Sequence, residues 1–513
     1  MADEAEPGAT DEHAPVSTEH LRERVVHGLR WSFINQVANR GLTFAMGVVV
    51  LRVLSVDDVG QFAIAAAVAG VLMAFNELGL IPAIVQWQGD HRKAVATAHT
   101  IAIVNSVVLC GIVMVLAPWI ADLAGTHEAT GVIRVMSLTI VIDGFTSMPN
   151  ALLARTFDQR GLAIAESTGL AAQIVLVVGM ALLGWGAYSL AIGMVFSNVL
   201  VALVLLRFLP HIPIPGWRRD VVGPLLRFGT PIAGSSVLRD TAINADKFGV
   251  GALLGTQQLG YYNTAFNFSN LPANSLGQMV ARVAFAGFSR LTHDTEQLDR
   301  AFRQAWLWLL VALMPMVALI SALAEPIIRF IYGAKWLPAA PVLSILVVAS
   351  GLRVMFMLTV DLITATGRPR TEFALYVFWS VVLIPAFIAG ALLDGIRGVA
   401  IAQLLVVGVL LMPLVLMAVR PTGVHVRSII LSSLRPVLAG AAAGLVAWPI
   451  GTALAPHPFV ACLVGGVVGL GVYALILLPF NHHLDLHVVR QMLRRNKATT
   501  TEIIPPPVTP TVP

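Results

Sequence analysis

The chain has 513 residues, of which 57% are hydrophobic and only 12% are charged, and its mean hydropathy is +0.81. A soluble protein carries about 25% charged residues, so this composition excludes a soluble globular protein and predicts an integral membrane protein. The two cysteines, Cys110 and Cys462, both lie in apolar runs. They are expected to be small packed residues, not a disulfide or a metal site.

The first 24 residues are predicted to form a disordered acidic tail. Residues 1–20 contain six Asp and Glu and no Lys or Arg, whereas a secretory signal peptide begins with a basic segment. At the other end, residues 481–513 are predicted to be a basic cytoplasmic segment followed by a disordered, proline-rich tail.

Between these ends, fourteen apolar stretches are long enough to cross a bilayer and predict an all-α integral membrane fold. Proline and glycine interrupt several of them, which membrane helices tolerate when neighbouring groups satisfy the freed backbone. The spans are expected near residues 31–54, 60–81, 95–120, 130–152, 162–183, 187–208, 226–254, 260–283, 303–323, 338–361, 372–393, 396–419, 434–455 and 459–480. They group into a six-helix bundle over 25–209, a cytoplasmic linker over 210–225, a second six-helix bundle over 226–420 and two further helices over 421–480.

The loops between the spans differ in their content of Lys and Arg according to the predicted side of the membrane. When both termini are placed in the cytoplasm, 24 of the 33 Lys and Arg residues fall in inner segments and only four fall in outer segments. Cytoplasmic loops of membrane proteins carry such an excess, so we expect a multi-pass protein of the cytoplasmic membrane with both ends inside. The net charge of +5 is thereby explained by orientation, and nucleic acid is not expected as a partner.

The two predicted bundles share short segments at nearly constant offsets. Three pairs occur in the same order, at offsets of 200, 208 and 209 residues: Leu51–Phe62 with Gly251–Tyr262, Pro118–Ile120 with Pro326–Ile328, and Gly186–Ile192 with Gly395–Ile401. Because six spans is an even number, both halves start on the same side and are parallel repeats. Such repeats are typical of transporters that work by alternating access around a site near the bilayer midplane.

Seven short segments carry a resemblance to a known family: Gly28-Leu-Arg-Trp31, Leu51–Phe62, Gly79-Leu80 with Gln86, Asn244-Ala-Asp246, Leu259-Gly-Tyr-Tyr262, Trp336 and Thr366-Gly-Arg368. Together they resemble the polysaccharide transporters of the multidrug/oligosaccharidyl-lipid/polysaccharide (MOP) superfamily, and more narrowly the Wzx-type oligosaccharide flippases. The resemblance covers about residues 25–480. It implies a V-shaped pair of six-helix bundles that carries polyprenyl-pyrophosphate-linked oligosaccharides to the outer leaflet. The partners it implies are the lipid-linked glycan, membrane lipids and proteins of polysaccharide assembly.

Five cations lie within predicted spans: Arg40, Arg134, Arg239, Lys247 and Arg353. Each costs about 2.5–3.5 kcal/mol at a helix centre, so their side chains must face protein or a water-filled cavity. For Arg134, near a span end, snorkelling to the interface is the alternative. A guanidinium grips a pyrophosphate through parallel hydrogen bonds. Arg40, Arg239, Lys247 and Arg353 are therefore candidate substrate contacts, together with the neighbouring amides of Asn39 and Asn244.

Span eight carries a stripe of four asparagines at steps of four, three and four residues: Asn263, Asn267, Asn270 and Asn274. Amides donate and accept hydrogen bonds at once, which suits sugar hydroxyls and equally suits bonds between helices. In span seven, Asp246 and Asp240 are candidate sites for a coupling proton or Na⁺. The structural alternative is that Arg239 pairs with Asp246 and Asp240 with Lys247 as internal ion pairs.

The sequence contains no phosphate-binding loop, metal-ligand spacing or catalytic set, so neither enzymatic activity nor a cofactor or metal is expected. Two alternative functions are also compatible with the predicted spans and their polar residues: a peptidoglycan lipid-precursor flippase and a MATE-like drug/cation antiporter. The antiporter is disfavoured because a cationic drug favours an acidic, aromatic cavity, whereas the polar residues within these spans are basic on balance. A membrane glycosyltransferase is disfavoured by the short outer loops.

The orientation is testable by cysteine labelling in a background in which Cys110 and Cys462 are replaced by serine. Single cysteines at 126, 257 and 457 should react with a membrane-impermeant maleimide added to intact cells, because these positions are predicted to be outside. Cysteines at 92, 160 and 300 should react only after permeabilisation. Labelling of position 300 but not of position 257 in intact cells would reverse the assignment.

Overall fold

The computed structural model describes residues 38–85, 87, 91–155, 159–209, 213–272 and 287–478. Within these residues the regular secondary structure is entirely helical, and the all-α prediction is confirmed. The predicted tails at 1–24 and 481–513 lie outside the described residues.

The described residues form helices that we number in chain order. The first, α1, occupies residues 38–53. It is followed by α2 (Val56–Glu77), α3 (Leu80–Val85), α4 (His91–Leu123), α5 (Ala129–Arg155), α6 (Gln159–Leu182), α7 (Ala187–Phe208), α8 (Arg219–Ser269), α9 (Thr295–Ala322), α10 (Ala324–Ile331), α11 (Ala339–Ala365), α12 (Pro369–Leu405), α13 (Met412–Val419), α14 (Val426–Ala453) and α15 (Pro458–Leu477). A π-helical segment, Val406–Leu411, joins α12 to α13.

Ten stretches of the described chain are long and apolar enough to cross a membrane, so this is a multi-pass membrane protein. They correspond to eleven of the fourteen predicted spans, because Arg370–Thr422 contains two of them. The three remaining predicted spans are the first, seventh and eighth. Of these, the first and the eighth lie only partly within the described residues, and the seventh carries the charged residues Arg239, Asp240, Asp246 and Lys247.

The chain divides into two compact units. Unit 1 comprises the described parts of Met1–Asn267, Ile331–Val342 and Tyr376–Val406. Unit 2 comprises the described parts of Phe268–Phe330, Leu343–Leu375 and Val407–Pro513. The division of the sequence into bundles at 25–209 and 226–420 is a different partition of the chain and stays a prediction.

In unit 1, α5 is the common neighbour of α2, α4 and α7, and α6 packs along α7. The C-terminal end of α1 is capped by a segment that is distant in the sequence. The Lys335 ammonium donates to the carbonyl oxygens of Arg52 (3.0 Å) and Leu54 (2.6 Å), and the Trp336 indole donates to that of Leu51 (2.7 Å). The last carbonyls of a helix have no partner within the helix, and a cation there also complements the helix dipole. The Ala334–Trp336 turn therefore anchors α1.

Ser55 begins α2 with a capping box. Its hydroxyl accepts the Asp58 amide N–H at 3.1 Å, and the Asp58 carboxylate accepts the Ser55 amide N–H at 3.0 Å, which satisfies two donors that a helix start leaves unpaired. The other oxygen of Asp58 accepts the Ala187 amide N–H at the start of α7, at 3.1 Å. One carboxylate thus ties two helix N-termini together and confirms that Leu51–Phe62 turns the chain from one helix into the next.

Two long helices, α8 and α12, each consist of two helical arms separated by a break in helical geometry. In α8 the backbone leaves helical geometry at Gly255 (φ 82°), a left-handed conformation that favours glycine. In α12 it does so at Asp394 and Gly395. These breaks separate the predicted spans 226–254 from 260–283 and 372–393 from 396–419. The arms of α12 lie in direct backbone contact, since a Cβ on Gly390 would overlap the Gly398 carbonyl and the reverse is also true.

In unit 2, α14 packs against α15 and both pack against α9. The Tyr473 hydroxyl donates to the Val311 carbonyl of α9 at 2.8 Å. That carbonyl stands four residues before Pro315, and a proline removes the N–H that would otherwise bond it. The C-terminal helices therefore satisfy a backbone group that the proline of α9 frees, so they are structurally integrated with that helix.

We predict that Gly398→Ala destabilises the folded protein. The new methyl group meets backbone atoms that cannot move aside, and overpacking of this kind costs about 1–3 kcal/mol. Gly466→Ala in α15 is the matched control, because nothing lies within 4 Å of the added Cβ. Thermal unfolding in detergent should show a lower transition for Gly398→Ala than for Gly466→Ala, and equal transitions would contradict the close approach.

Candidate functional site

The seventh predicted span is the first arm of α8, and it carries a buried carboxylate. Asp246 is only 2% exposed. One of its oxygens accepts the Tyr262 hydroxyl at 2.8 Å, and the other accepts the Lys247 amide N–H at 2.8 Å. Tyr262 is fully buried and lies on the second arm of α8. The bond therefore joins the two arms of the hairpin.

Lys247, the next residue, also reaches the second arm. Its ammonium donates to the Asn244 side-chain oxygen at 3.1 Å and lies over the ring of Phe266, 5.5 Å from the centroid. Cation–π contacts of this kind gain strength when they are desolvated. We call Asn244, Asp246, Lys247, Tyr262 and Phe266 the Asp246 cluster.

Unit 2 contains a second polar cluster, built from the end of α8 and the middle of α11. The Arg353 guanidinium donates to the Asn270 side-chain oxygen and, at 3.4 Å, to the Ser350 hydroxyl. Ser350 donates to the same oxygen of Asn270 at 3.1 Å and lies 3.5 Å from the Ser269 hydroxyl. We call Ser269, Asn270, Ser350 and Arg353 the Arg353 cluster. Its members hold the guanidinium in one place between two helices.

The described start of α1 presents the remaining polar face. Asn39 accepts the Ser167 hydroxyl on its side-chain oxygen at 3.3 Å, and its carbonyl accepts the Thr43 hydroxyl at 2.8 Å. Arg40, beside it, is exposed, whereas Asp246 is buried and Arg353 is half-buried.

A polar group that the sequence pattern missed lies deep in unit 1. Asn76 is 2% exposed, and its amide donates to the Asp143 carboxylate at 2.8 Å and to the Ile140 carbonyl at 3.3 Å. Asn105 adds a contact of 3.5 Å to the Asn76 side-chain oxygen. Asp143 lies within the fourth predicted span, but the sequence does not indicate its partner. An isolated asparagine 67 residues away in the chain carries no periodic signal.

The remaining predicted residues differ in their surroundings. Of the asparagine stripe, Asn263 is buried, Asn267 is exposed and Asn270 belongs to the Arg353 cluster, while Asn274 lies outside the described residues. Asp240 is half-buried in the first arm of α8, and its carbonyl accepts the Asn244 amide at 2.9 Å. Arg239 is in the same helix, but its side chain lies outside the described parts.

These groups can bind an anion and polar hydroxyls, and they can change charge. Exposed Arg40 offers a permanent positive charge, and Asn267 offers an exposed amide that can both donate and accept. Asp246 is a buried carboxylate that accepts hydrogen bonds from the Tyr262 hydroxyl and the Lys247 amide N–H. Four members of the two clusters are not among the candidates from the sequence: Tyr262, Phe266, Ser269 and Ser350.

A profile of the family described as "Polysaccharide biosynthesis protein" matches residues 49–341, more than half of the chain. The lipopolysaccharide biosynthesis protein WzxC of Escherichia coli (strain K12) is 24% identical over 75% of this chain and 79% of its own length. The succinoglycan biosynthesis transport protein ExoT of Rhizobium meliloti (strain 1021) is 27% identical over 64% of this chain and 66% of its own.

Solved structures show the same fold. The lipid II flippase MurJ, in an inward closed conformation, matches with a TM-score of 0.74 and 18% identity, covering 88% of this chain and 99% of MurJ. An inward-facing multidrug resistance MATE family transporter of the MOP superfamily matches with a TM-score of 0.60 and 17% identity, covering 74% and 94%. At these identities the likeness establishes an all-α membrane transporter fold.

Substitutions at Asn270 and Asn267, two asparagines of the same stripe, should distinguish a structural role from a ligand-binding role. Asn270→Leu removes an acceptor of the Arg353 guanidinium, and loss of a hydrogen bond by a buried group costs about 1–3 kcal/mol. We therefore expect a lower unfolding temperature in detergent and less protein in the membrane. Asn267→Leu, at an exposed position, should leave both unchanged. Equal destabilisation by the two substitutions would contradict the assignment of Asn270 to the Arg353 cluster.

Proposed function

The chain belongs to the polysaccharide biosynthesis protein family, and on that premise we propose that it is a flippase for a lipid-linked glycan. It moves a polyprenyl-pyrophosphate-linked oligosaccharide from the inner to the outer leaflet of the cytoplasmic membrane, with both of its own termini in the cytoplasm. The product serves cell-surface polysaccharide biosynthesis. Transport proceeds by alternating access.

The observation that carries this proposal is the family match over residues 49–341, supported by relatives named for lipopolysaccharide and succinoglycan biosynthesis. The chemistry of the spans agrees with an anionic, sugar-bearing cargo. Arginine, lysine and asparagine side chains lie within the predicted spans, and such residues mark substrate pathways in membrane proteins.

In this proposal the cations bind the pyrophosphate and the amides bind the glycan. Arg40 is a proposed contact because it is an exposed cation, and Arg239, Lys247 and Arg353 are the other proposed contacts. Guanidinium groups pair with phosphate oxygens through two parallel hydrogen bonds. The sugar hydroxyls then bond to the amides of Asn39, Asn244, Asn263, Asn267, Asn270 and Asn274.

Movement of a charged headgroup needs a driving force, and Asp246 is the proposed coupling site, with Asp240 as its neighbour. A proton or Na⁺ at Asp246 neutralises a carboxylate that is enclosed by protein, which changes the charge beside Lys247. Vesicles with an imposed Na⁺ or pH gradient measure this coupling. Asp246→Asn should lose the response to the gradient, and a variant that keeps the response would place coupling elsewhere.

Deletion of the gene tests the cargo. The mutant cells should lose surface polysaccharide and accumulate its lipid-linked repeat unit on the inner side of the membrane, measured by mass spectrometry of extracted lipids. Accumulation of peptidoglycan precursor with cell lysis would favour the first rival function. Increased sensitivity to cationic drugs with normal surface polysaccharide would favour a drug/cation antiporter.

Arg40→Ala, expressed in the deletion strain, should reduce surface polysaccharide by about tenfold or more, since hydrogen bonds to charged groups contribute about 1.5–3 kcal/mol. Arg40→Lys should restore it only in part, because a lysine cannot form the parallel pair. Arg134→Ala is the matched control. Arg134 donates to the Met114 carbonyl at 3.2 Å and should be dispensable for export. Normal export by Arg40→Ala at normal abundance would refute the role of Arg40.

A further inference from the structure

Tyr262 connects the buried carboxylate of unit 1 to a helix crossing. Its hydroxyl donates to Asp246 across the Gly255 hairpin, as described above. Its ring stacks on Phe266, with centroids 6.1 Å apart and planes at 24°, and Phe266 in turn receives the Lys247 ammonium. Asp246 and Lys247, consecutive on the first arm, therefore contact Tyr262 and Phe266, which lie one turn apart on the second arm.

Two residues before Tyr262, Gly260 lies in backbone contact with α2. A Cβ on Gly260 would overlap the Val56 carbonyl, and a Cβ on Gly60 would overlap the Thr256 carbonyl. The four positions form a reciprocal pair at the 200-residue offset of the repeat, so the two repeat-related corners cross each other. The Thr256 hydroxyl also donates to the Asp57 carboxylate at 3.0 Å. We call Val56, Asp57, Gly60, Thr256 and Gly260 the glycine crossing.

At the glycine crossing the backbones of the two corners are in direct contact, so the corners cannot move closer together. Glycine on both sides lets backbone meet backbone, so a shift of the second arm of α8 must separate the two corners. The predicted topology puts Gln257, one residue from Thr256, on the outer side of the membrane. The crossing therefore lies at the predicted outer end of these helices.

We propose that Tyr262 is a positioning residue that couples the charge of Asp246 to the glycine crossing. When Asp246 is ionised, its bond from the Tyr262 hydroxyl is charge-assisted and holds the second arm against the first. When a cation or proton neutralises Asp246, the bond weakens, the second arm moves and the crossing opens. This inference rests on the proposed function, to which it adds the link between coupling site and outer opening.

Disulfide cross-linking of the full-length protein in membranes measures whether the crossing is closed. The background carries Cys110→Ser, Cys462→Ser, Asp57→Cys and Thr256→Cys, and a protease site between Ile214 and Pro215 of the α7–α8 linker. After oxidation and cleavage, only cross-linked protein stays in one piece on a non-reducing gel. Yields are compared among folded fractions isolated by size-exclusion chromatography.

Asp246→Asn and Tyr262→Phe should each lower the yield by about threefold, the factor that corresponds to the ~0.6 kcal/mol of an average hydrogen bond between membrane helices. Together they should lower it no further, because both break one connection. Tyr261→Phe is the matched control, since Tyr261 packs edge-on against Trp336 at 6.1 Å. It should leave the yield unchanged.

Unchanged yields in Asp246→Asn and Tyr262→Phe would overturn the proposal, as would effects that multiply in the double variant or an equal loss in Tyr261→Phe. Cross-linking reports helix movement without any added glycan, whereas gene deletion reports the cargo. A failure of this inference is therefore distinguishable from a failure of the proposed function.

Discussion

A polar group without a partner is costly inside a bilayer, and the polar clusters of the described structure are built around this constraint. Asp246 receives two hydrogen bonds, Arg353 is held by an amide and a hydroxyl, and Asp143 is bonded by Asn76. Even the carbonyl opposite Pro315 is bonded, by Tyr473. Since hydrocarbon offers no hydrogen bonds, the side chains of Asp246, Arg353 and Asp143 are stabilised by groups on a second helical segment at a defined position. These polar residues therefore help to determine which helical segments pack together.

The same constraint makes the polar groups useful. A charge that is stabilised only by its neighbours changes those neighbours when it is neutralised, so a carboxylate such as Asp246 affects its surroundings in a way that a surface carboxylate cannot. In unit 1 the surroundings are the two arms of α8 and, through Gly260, the helix α2. Glycine at the crossing of two repeat-related corners lets the backbones meet without an intervening side chain.

The balance of charge distinguishes the proposed cargo from that of a drug exporter with the same fold. Fold likeness to both a lipid II flippase and a MATE transporter leaves the cargo open, because function depends on the site and not on the fold. Here an arginine, Arg40, is among the exposed side chains of α1, and α8 contains lysine and asparagine. These residues suit a pyrophosphate and sugar hydroxyls better than an organic cation.

The sequence by itself determined the all-α membrane fold, the turn between α1 and α2, the hairpin breaks near Gly255 and Gly395, and the helices that carry the polar residues. These follow from local apolar length, glycine and the repeat, which are readable along one chain. Only the tertiary structure decided that Asp246 bonds Tyr262, that Asn270 and Ser350 hold Arg353, and that Asn76 holds Asp143. The stripe of asparagines illustrates the reason. Helical spacing predicts a shared face, but burial of Asn263 and exposure of Asn267 depend on which neighbouring helix covers each turn.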